Sequence, residues 1–328
     1  MVTTTYQTVR QVGRREDLND DIADISPEET PFYTTVAEGP PATQVKVEWQ
    51  TDALASASAT GLVEGADAAY LTATPTARIG NFTQINGKAV IVSETANAVS
   101  TAGRAEELAY QVAKRGRELK RDLETALTQN RASNAGASAT ARAAASFEAW
   151  ITTNDSRGSG GATAGAQGGY TAAGTVTAAT DASSSGQRTF TEARLKSVIR
   201  LCWASGGQPT TIMVGPVNKQ RASAFSGITT KYTDFNNPNT PAQNAIVAAA
   251  DIYLSDFGKL TVVPNRFSRE RSALLIDWKY WKMSWLRKIK LRPLAKTGDA
   301  EKRQLICEWT LISRNEAASG ILADLLTT

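Results

Sequence analysis

Residues 44–50 read QVKVEWQ and residues 77–92 read ARIGNFTQINGKAVIV, and residues 51–76 between them are a stretch of small residues, carrying Ala, Ser, Thr and Gly with few bulky side chains. In the first run Val45, Val47 and Trp49 alternate with Gln44, Lys46, Glu48 and Gln50, the period of a strand with one apolar face. The second run places Ile79, Phe82, Ile85, Val90 and Val92 along another strand-like stretch. Two strands joined by so long a connection make a projecting ribbon. A lone two-stranded ribbon has too little apolar surface to hold itself in water, so something else must cover it.

Upstream, residues 1–43 are polar and acidic in the middle, with Glu16, Asp17, Asp20, Asp21, Asp24, Glu28 and Glu29, and are punctuated by prolines 27, 31, 40 and 41, which predicts an extended arm. Asp17, Asn19, Asp20 and Asp21 suggest a calcium loop, but the loop Gly and terminal Glu of an EF-hand are missing. Downstream, a helix is predicted from about Glu94 to Asn130. Ala105, Leu108, Ala109, Val112, Gly116, Leu119, Leu123, Ala126 and Leu127 recur at three- and four-residue steps. Its stretch from Ala102 to Asn130 would be ~43 Å long. Arg104 with Glu107, and Glu118 with Arg121, stand at ion-pair spacing. Lys114, Arg115, Arg117, Lys120 and Arg121 cluster as a nucleic-acid helix would have them, yet the mixed signs favour a solvated or partner-facing surface.

Between Thr152 and Gln187 the chain turns to Gly, Ser, Thr and Ala, including GSGGATAGAQGG at 158–169. Such a run buries little apolar area and predicts a mobile loop or linker. No GK[ST] follows the glycines, so a phosphate cradle is excluded. Thr189 to Glu192 matches a capping box before a helix carrying Leu195, Val198, Ile199 and Cys202 and ended by Gly206 and Gly207. Residues 209–215 predict a strand, 219–225 a helix, 251–264 two strands about a turn at 256–258, and 304–313 a returning strand. These elements predict an α+β domain. The run 273–292, ALLIDWKYWKMSWLRKIKLR, reads as one long strand in which Trp278, Tyr280, Trp281 and Trp285 interleave with cations. Single-strand binders stack bases on such rings, but Ile289 and Leu291 alternating with Lys288, Lys290 and Arg292 is what any strand with one wet face shows.

The chain has 328 residues, 41% hydrophobic and 21% charged, with a formal charge of +4, too small to imply a polyanion binder by itself. With no histidine, imidazole-dependent triads and the common zinc sites are excluded. Cys202 and Cys307 sit in apolar surroundings and read as two buried thiols in a reducing compartment. The start, MVTTTYQTVR, shows no secretory signal, and no apolar run approaches the ~20 residues that span a bilayer.

The C-terminal third carries a further pattern: DFGKL at 256–260, Asn265–Arg266, LID at 275–277, LAKTGD at 294–299, Lys302, EWTL at 308–311 and NEAA at 315–318, with ETPF at 29–32 before the ribbon. In this order the pieces resemble tailed-bacteriophage major capsid proteins, and the similarity covers most of the chain apart from the Gly/Ser tract at 158–186. The resemblance implies the Hong Kong 97-type α+β fold: an N-arm at 1–43, an extended E-loop at 44–92, a P-domain with its spine helix and the Gly/Ser segment at 93–189, an A-domain at 190–280 and returning P-domain strands at 281–328. In some members a Lys on the E-loop bonds covalently to a neighbour's Asn. Lys46 and Lys88 are the only lysines in this segment and neither is at the tip, so that chemistry is not carried over.

The expected function is self-assembly into an icosahedral head shell around double-stranded DNA, with no catalysis, cofactor or metal. Expected subunit-interface residues are Phe32, Val45, Val47, Trp49, Ile79, Phe82 and Ile85, with Arg104, Glu107, Glu118 and Arg121 making polar contacts. Expected partners are copies of the chain in hexamers and pentamers, a portal, a scaffold, cement proteins and, non-specifically, packaged DNA, with no membrane. The expected place is the virion, assembled in the host bacterial cytoplasm. The alternatives are a single-stranded nucleic-acid binder using 278–292, a bacterial nanocompartment shell of the same fold, and a carboxylate hydrolase using Asp251, Asp256 and Asp277.

Overall fold

The computed structural model describes residues 26–65, 67, 70, 72–99, 106–225 and 252–327. The acidic stretch before residue 26, with the Asp17–Asp21 loop, lies outside the described residues, as do Arg104 and Asp251. The body rests on two sheets. In the first, β1 (Ala37–Glu38), β12 (Trp281–Pro293), β13 (Ala300–Ser313) and β4 (Gln84–Ser93) lie side by side in that order. The β12–β13 hairpin is antiparallel with bulges after Trp285 and Arg287, and β4 pairs along β13 from Ser93 opposite Ala300 to Gln84 opposite Trp309. Alternation sends Trp281, Met283, Cys307, Trp309 and Leu311 to one face, where Leu119, Leu123, Ala126 and Leu127 of α3 (Glu107–Thr128) cover them. Lys288, Lys290 and Arg292 stay exposed.

The second sheet runs β5 (Asp155–Ser156), β14 (Gly320–Leu322), β11 (Ala273–Ile276), β8 (Thr211–Val214), β10 (Gly258–Pro264) and β9 (Ile252–Ser255). All four residues of both β8 and β11 are buried, because this sheet is covered on both faces. Ile212, Val214, Ala273 and Leu275 meet Leu195, Val198, Ile199 and Cys202 of α5 (Glu192–Ala204) in one core. Their alternates Met213, Leu274 and Ile276 join the core around α3. The shared sheet makes the two cores one body. Short helices α1 (Pro31–Thr35), α2 (Glu94–Ala98), α4 (Phe147–Trp150) and α6 (Pro216–Ser223) complete it. The ribbon is β2 (Lys46–Thr51) antiparallel to β3 (Ala77–Phe82), with Trp49 opposite Ile79.

Several expectations change. The long helix is shorter: α2 ends at Ala98, and the 22 residues of α3 span ~33 Å. The run 273–292 is two strands, separated by a 3₁₀ turn at Trp278–Tyr280 in which the Asp277 side chain caps the Lys279 amide. Helix α5 starts after Thr191 without a side-chain cap, and Glu192 instead accepts from Tyr253 Oη at 3.1 Å and pairs with Lys196. The second half of the 44–92 segment, β4, belongs to the body sheet, while β2 and β3 pair only with each other.

The largest change concerns the Gly/Ser tract, expected as a mobile loop. It is folded onto the body, with a hairpin of β6 (Gly169–Tyr170) and β7 (Val176–Thr177) and a bridge between Ala166 and Thr180. The wholly buried Asp324 accepts from Gly158 N at 3.0 Å, Ala182 N at 2.8 Å and Arg271 Nη2 at 3.0 Å. Glycine serves here for close approach: a Cβ on Gly158 would lie 2.1 Å from the Gly186 carbonyl oxygen.

Candidate assembly surfaces

The expected interface residues divide into those the chain covers itself and those it leaves bare. Phe32 is fully buried, edge-on to Phe147 at 5.9 Å and Trp278 at 5.1 Å. It is a core residue of its own subunit, a correction to its expected place on a neighbour. What seats it is Glu124, wholly buried on α3, whose carboxylate accepts Phe32 N at 2.9 Å, Tyr33 N at 2.7 Å and Asn265 Nδ2 at 2.5 Å. Burial pushes this carboxyl above its ordinary range, while the three donors pull the other way. The sequence reading counts Glu124 with the charged, solvated or partner-facing side of the helix, and its burial corrects that. Its one signal was an acid set among the apolar residues Leu123, Ala126 and Leu127.

The ribbon's root also packs inward. Trp49 lies 5.5 Å from Trp150, which stacks on Tyr170 at 6.0 Å, and Ile79 packs on the same core. Val47 and Phe82 are half-buried, with Lys46 over the Phe82 ring at 5.6 Å. Val45 and Ile85 remain exposed. Beyond the root the chain leaves the body: Leu54 is 99%, Leu62 92%, Val63 79% and Tyr70 95% exposed. No described residue of the same chain covers them. The expected pairing of Glu118 with Arg121 is not formed. Glu118 takes Arg115 at 2.5 Å, which holds its carboxyl below the ordinary range, and Arg121 lies over the Phe267 ring at 5.4 Å. Glu107 accepts Gln111 Nε2 at 2.8 Å. Arg117 pairs with Glu28 of the arm, and Lys88 with Asp122 at 2.7 Å.

A shallow groove of about 740 Å³ opens between β4, α2 and the N-terminal half of α3. In the second core Trp203 lies half-exposed against Phe257 at 5.2 Å, and Ile252 and Leu254 of β9 are exposed.

The aromatic run offers no stacking platform. Trp281 is fully buried and donates to Ser319 Oγ at 2.9 Å, Trp278 donates to Thr211 Oγ1 at 2.8 Å, and Trp285 stands edge-on to Tyr33 at 6.4 Å. Asp277 is occupied with the amides of Gln208 and Lys279 at 3.1 and 3.2 Å, and Asp256 sits in the turn after β9. Among the described residues no cluster of acids and cysteines has metal-binding geometry, and no helix is long and apolar enough to cross a membrane. Both cysteines are buried and free, and burial pushes the Cys202 thiol up to about 12 and the Cys307 thiol to about 11.

A long hairpin sheet backed by one helix, a second two-faced sheet and a ribbon standing off the body define a shell subunit of the Hong Kong 97 type. Solved structures agree on the fold. The capsid subunit of cyanophage A-1(L) superposes with a TM-score of 0.65 at 13% identity over 96% of this chain and 98% of that one. The SrpI encapsulin of Synechococcus elongatus superposes with a TM-score of 0.51 at 10% identity over 98% and 95%. In sequence the chain is 29% identical to the major capsid protein of Escherichia phage Phieco32, over 97% of this chain and 96% of that protein. The profile of the SU10 major capsid protein family matches residues 1–326, and the chain belongs to that family. It is a major capsid protein of a tailed phage.

Proposed function

We propose that copies of this chain close an icosahedral shell of hexamers and pentamers around double-stranded DNA, assembled in the host bacterial cytoplasm and without any reaction of its own. The observation that carries this is the exposed apolar loop of the ribbon, with Leu54, Leu62, Val63 and Tyr70 uncovered by the described residues of their own chain. A soluble monomer has no use for such a limb, and many modest contacts between copies make a strong shell. Val45 and Ile85 extend the same contact toward the body, Glu107 and the charged face of α3 supply polar contacts, and Trp203, Phe257 and Leu254 support contacts of the A-domain. DNA meets the inner surface through phosphate charge without sequence preference. A portal and a scaffold complete the head, with cement proteins outside.

The test is electron microscopy of the purified chain across assembly conditions. Shells, rings or tubes are expected, and a monodisperse monomer at every concentration overturns the proposal. The nanocompartment alternative shares the fold alone, whereas the family and the Phieco32 relative are phage proteins.

A further inference from the structure

We propose that Glu124 works as a proton-operated latch, holding the strap of residues 30–42 against the body more tightly in acid than in base. This goes beyond the shell-forming function and does not depend on it. The strap lies on the body rather than inside it. Its β1 is a two-residue edge strand beside β12, and Phe32 is its one wholly buried residue. Gly39 N donates to Met283 O at 2.7 Å and Ala42 N to Trp285 O at 3.0 Å. The strap ends four residues before β2, so its hold also fixes where the ribbon begins. At its head α1 has no cap of its own: Thr30 makes no side-chain capping bond, and the amides of Phe32 and Tyr33 go instead to the carboxylate of Glu124. The third donor, Asn265 Nδ2, comes from the residue after β10.

What makes this grip responsive is the missing counter-charge. Among the described residues no cation pairs with Glu124, and its three donors are all neutral. On α3 itself Arg117 takes Glu28, Arg121 lies over the Phe267 ring and Lys120 is exposed. From the strap side Glu29 is exposed and the Tyr33 ring turns to Trp285. Arg266, next to Asn265, is exposed, and Glu148 of α4 is spent on Arg157, Arg269 and Ser272. Two of the three donors belong to the strap. When the strap lifts, the carboxylate loses them and regains water. When it settles, the carboxyl is buried and rises above its ordinary 4.5. A carboxyl raised by docking favours the docked strap when protonated, and that advantage is full below 4.5 and lost as pH rises through the raised value.

The test is double electron–electron resonance on the full chain, with nitroxides at Thr35→Cys on the strap and Ala113→Cys on α3, both exposed positions. Labelled chain is diluted into unlabelled chain so that only distances within one copy are read. Native Cys202 and Cys307 are buried and take little label. From about pH 4.5 to about pH 8 the docked distance should lose population several-fold to longer distances. Glu124→Gln keeps a carbonyl oxygen for the amides but cannot ionise, and its distances should not change with pH. No pH response with Glu124 in place, or the same response in the Gln variant, overturns the latch. If the Gln variant does not fold, Asn265→Ala gives the second reading. With one donor fewer the ionised carboxylate is held less well, and the fall over the same pH range should grow. An unchanged or smaller fall overturns the latch.

Discussion

Two stretches of this chain have nearly the same composition and opposite fates. Residues 52–65 and residues 158–186 are both rich in Ala, Gly, Ser and Thr. The first stands away from the body, while the second is laid against it with buried glycines at 158, 169 and 186. Apolar area does not separate them, since the exposed arm has the bulkier residues. What differs is the availability of polar partners. The second tract lies over the buried carboxylates of Glu148, Asp155 and Asp324, which gather Arg157, Arg269 and Arg271, and Asp324 also accepts the tract's amides at Gly158 and Ala182. The first has no such acceptor in its own chain among the described residues. Chain entropy is offset in one case by buried hydrogen bonds to carboxylates, and in the other by whatever a second copy supplies.

Removing the acceptor should therefore turn the second tract into something like the first. Asp324→Ala strips Gly158 N and Ala182 N of their partner and leaves Arg271 without its carboxylate. The expected loss is about 3–5 kcal/mol, read as a large fall in Tm together with new protease cuts within 158–186. Unchanged protection of the tract would mean that its packing, not Asp324, holds it.

Glycine substitutions sharpen the same contrast at smaller scale. Gly158→Ala drives a methyl into the Gly186 carbonyl and should cost about 1–3 kcal/mol. Gly61→Ala in the exposed arm meets nothing within 4 Å and should stay within about 0.5 kcal/mol. Paired thermal melts check both, and equal costs would erase the distinction between a glycine kept for close approach and one that is free.

Much of the body was legible in the sequence because it depends on periodicity. The stripe Leu119, Leu123, Ala126, Leu127, the returning strand over 304–313 and the two strands about the turn at 256–258 appear as written. The resemblance supplied the order of parts. What escaped was set by distant polar partners, which leave no local pattern: Glu124 gripping Phe32 at a separation of 92 residues, and Asp324 gripping Gly158 at 166. Phe32 and Trp49 were expected outside for the same reason, since what covers them comes from elsewhere in the chain.

Asp155 gives a pH handle on the anchored tract alone. Its carboxyl is pushed up to about 6, first by burial, with Glu148 and Asp324 adding to the shift and Arg157 opposing it. A carboxyl raised in the fold favours the native state when protonated. Its contribution is full below the ordinary value of 3.8 and is lost as pH rises through about 6. Between pH 7.5 and 5.5 this group should add about 1 kcal/mol of stability. Denaturant titrations of the unaltered chain and of Asp155→Asn are the check: the gain should appear in the first and vanish in the second. A gain of the same size in both would assign the pH response to another group.

The smallest effect on the single subunit should come from the exposed arm, and it is the one that carries function. Leu54→Ser with Leu62→Ser removes two side chains that the described part of their own chain leaves almost fully exposed, so the stability of unassembled protein should move by less than about 0.5 kcal/mol. Yet if those side chains are covered only in a neighbour, each copy loses roughly 3–6 kcal/mol of burial from a contact repeated around the shell, and the concentration needed for assembly should climb by orders of magnitude. Sedimentation of the variant against the unaltered chain across a concentration series measures this directly. A variant that assembles at the ordinary concentration would show that the arm is dispensable, and that the bare limb has some purpose other than reaching a sibling.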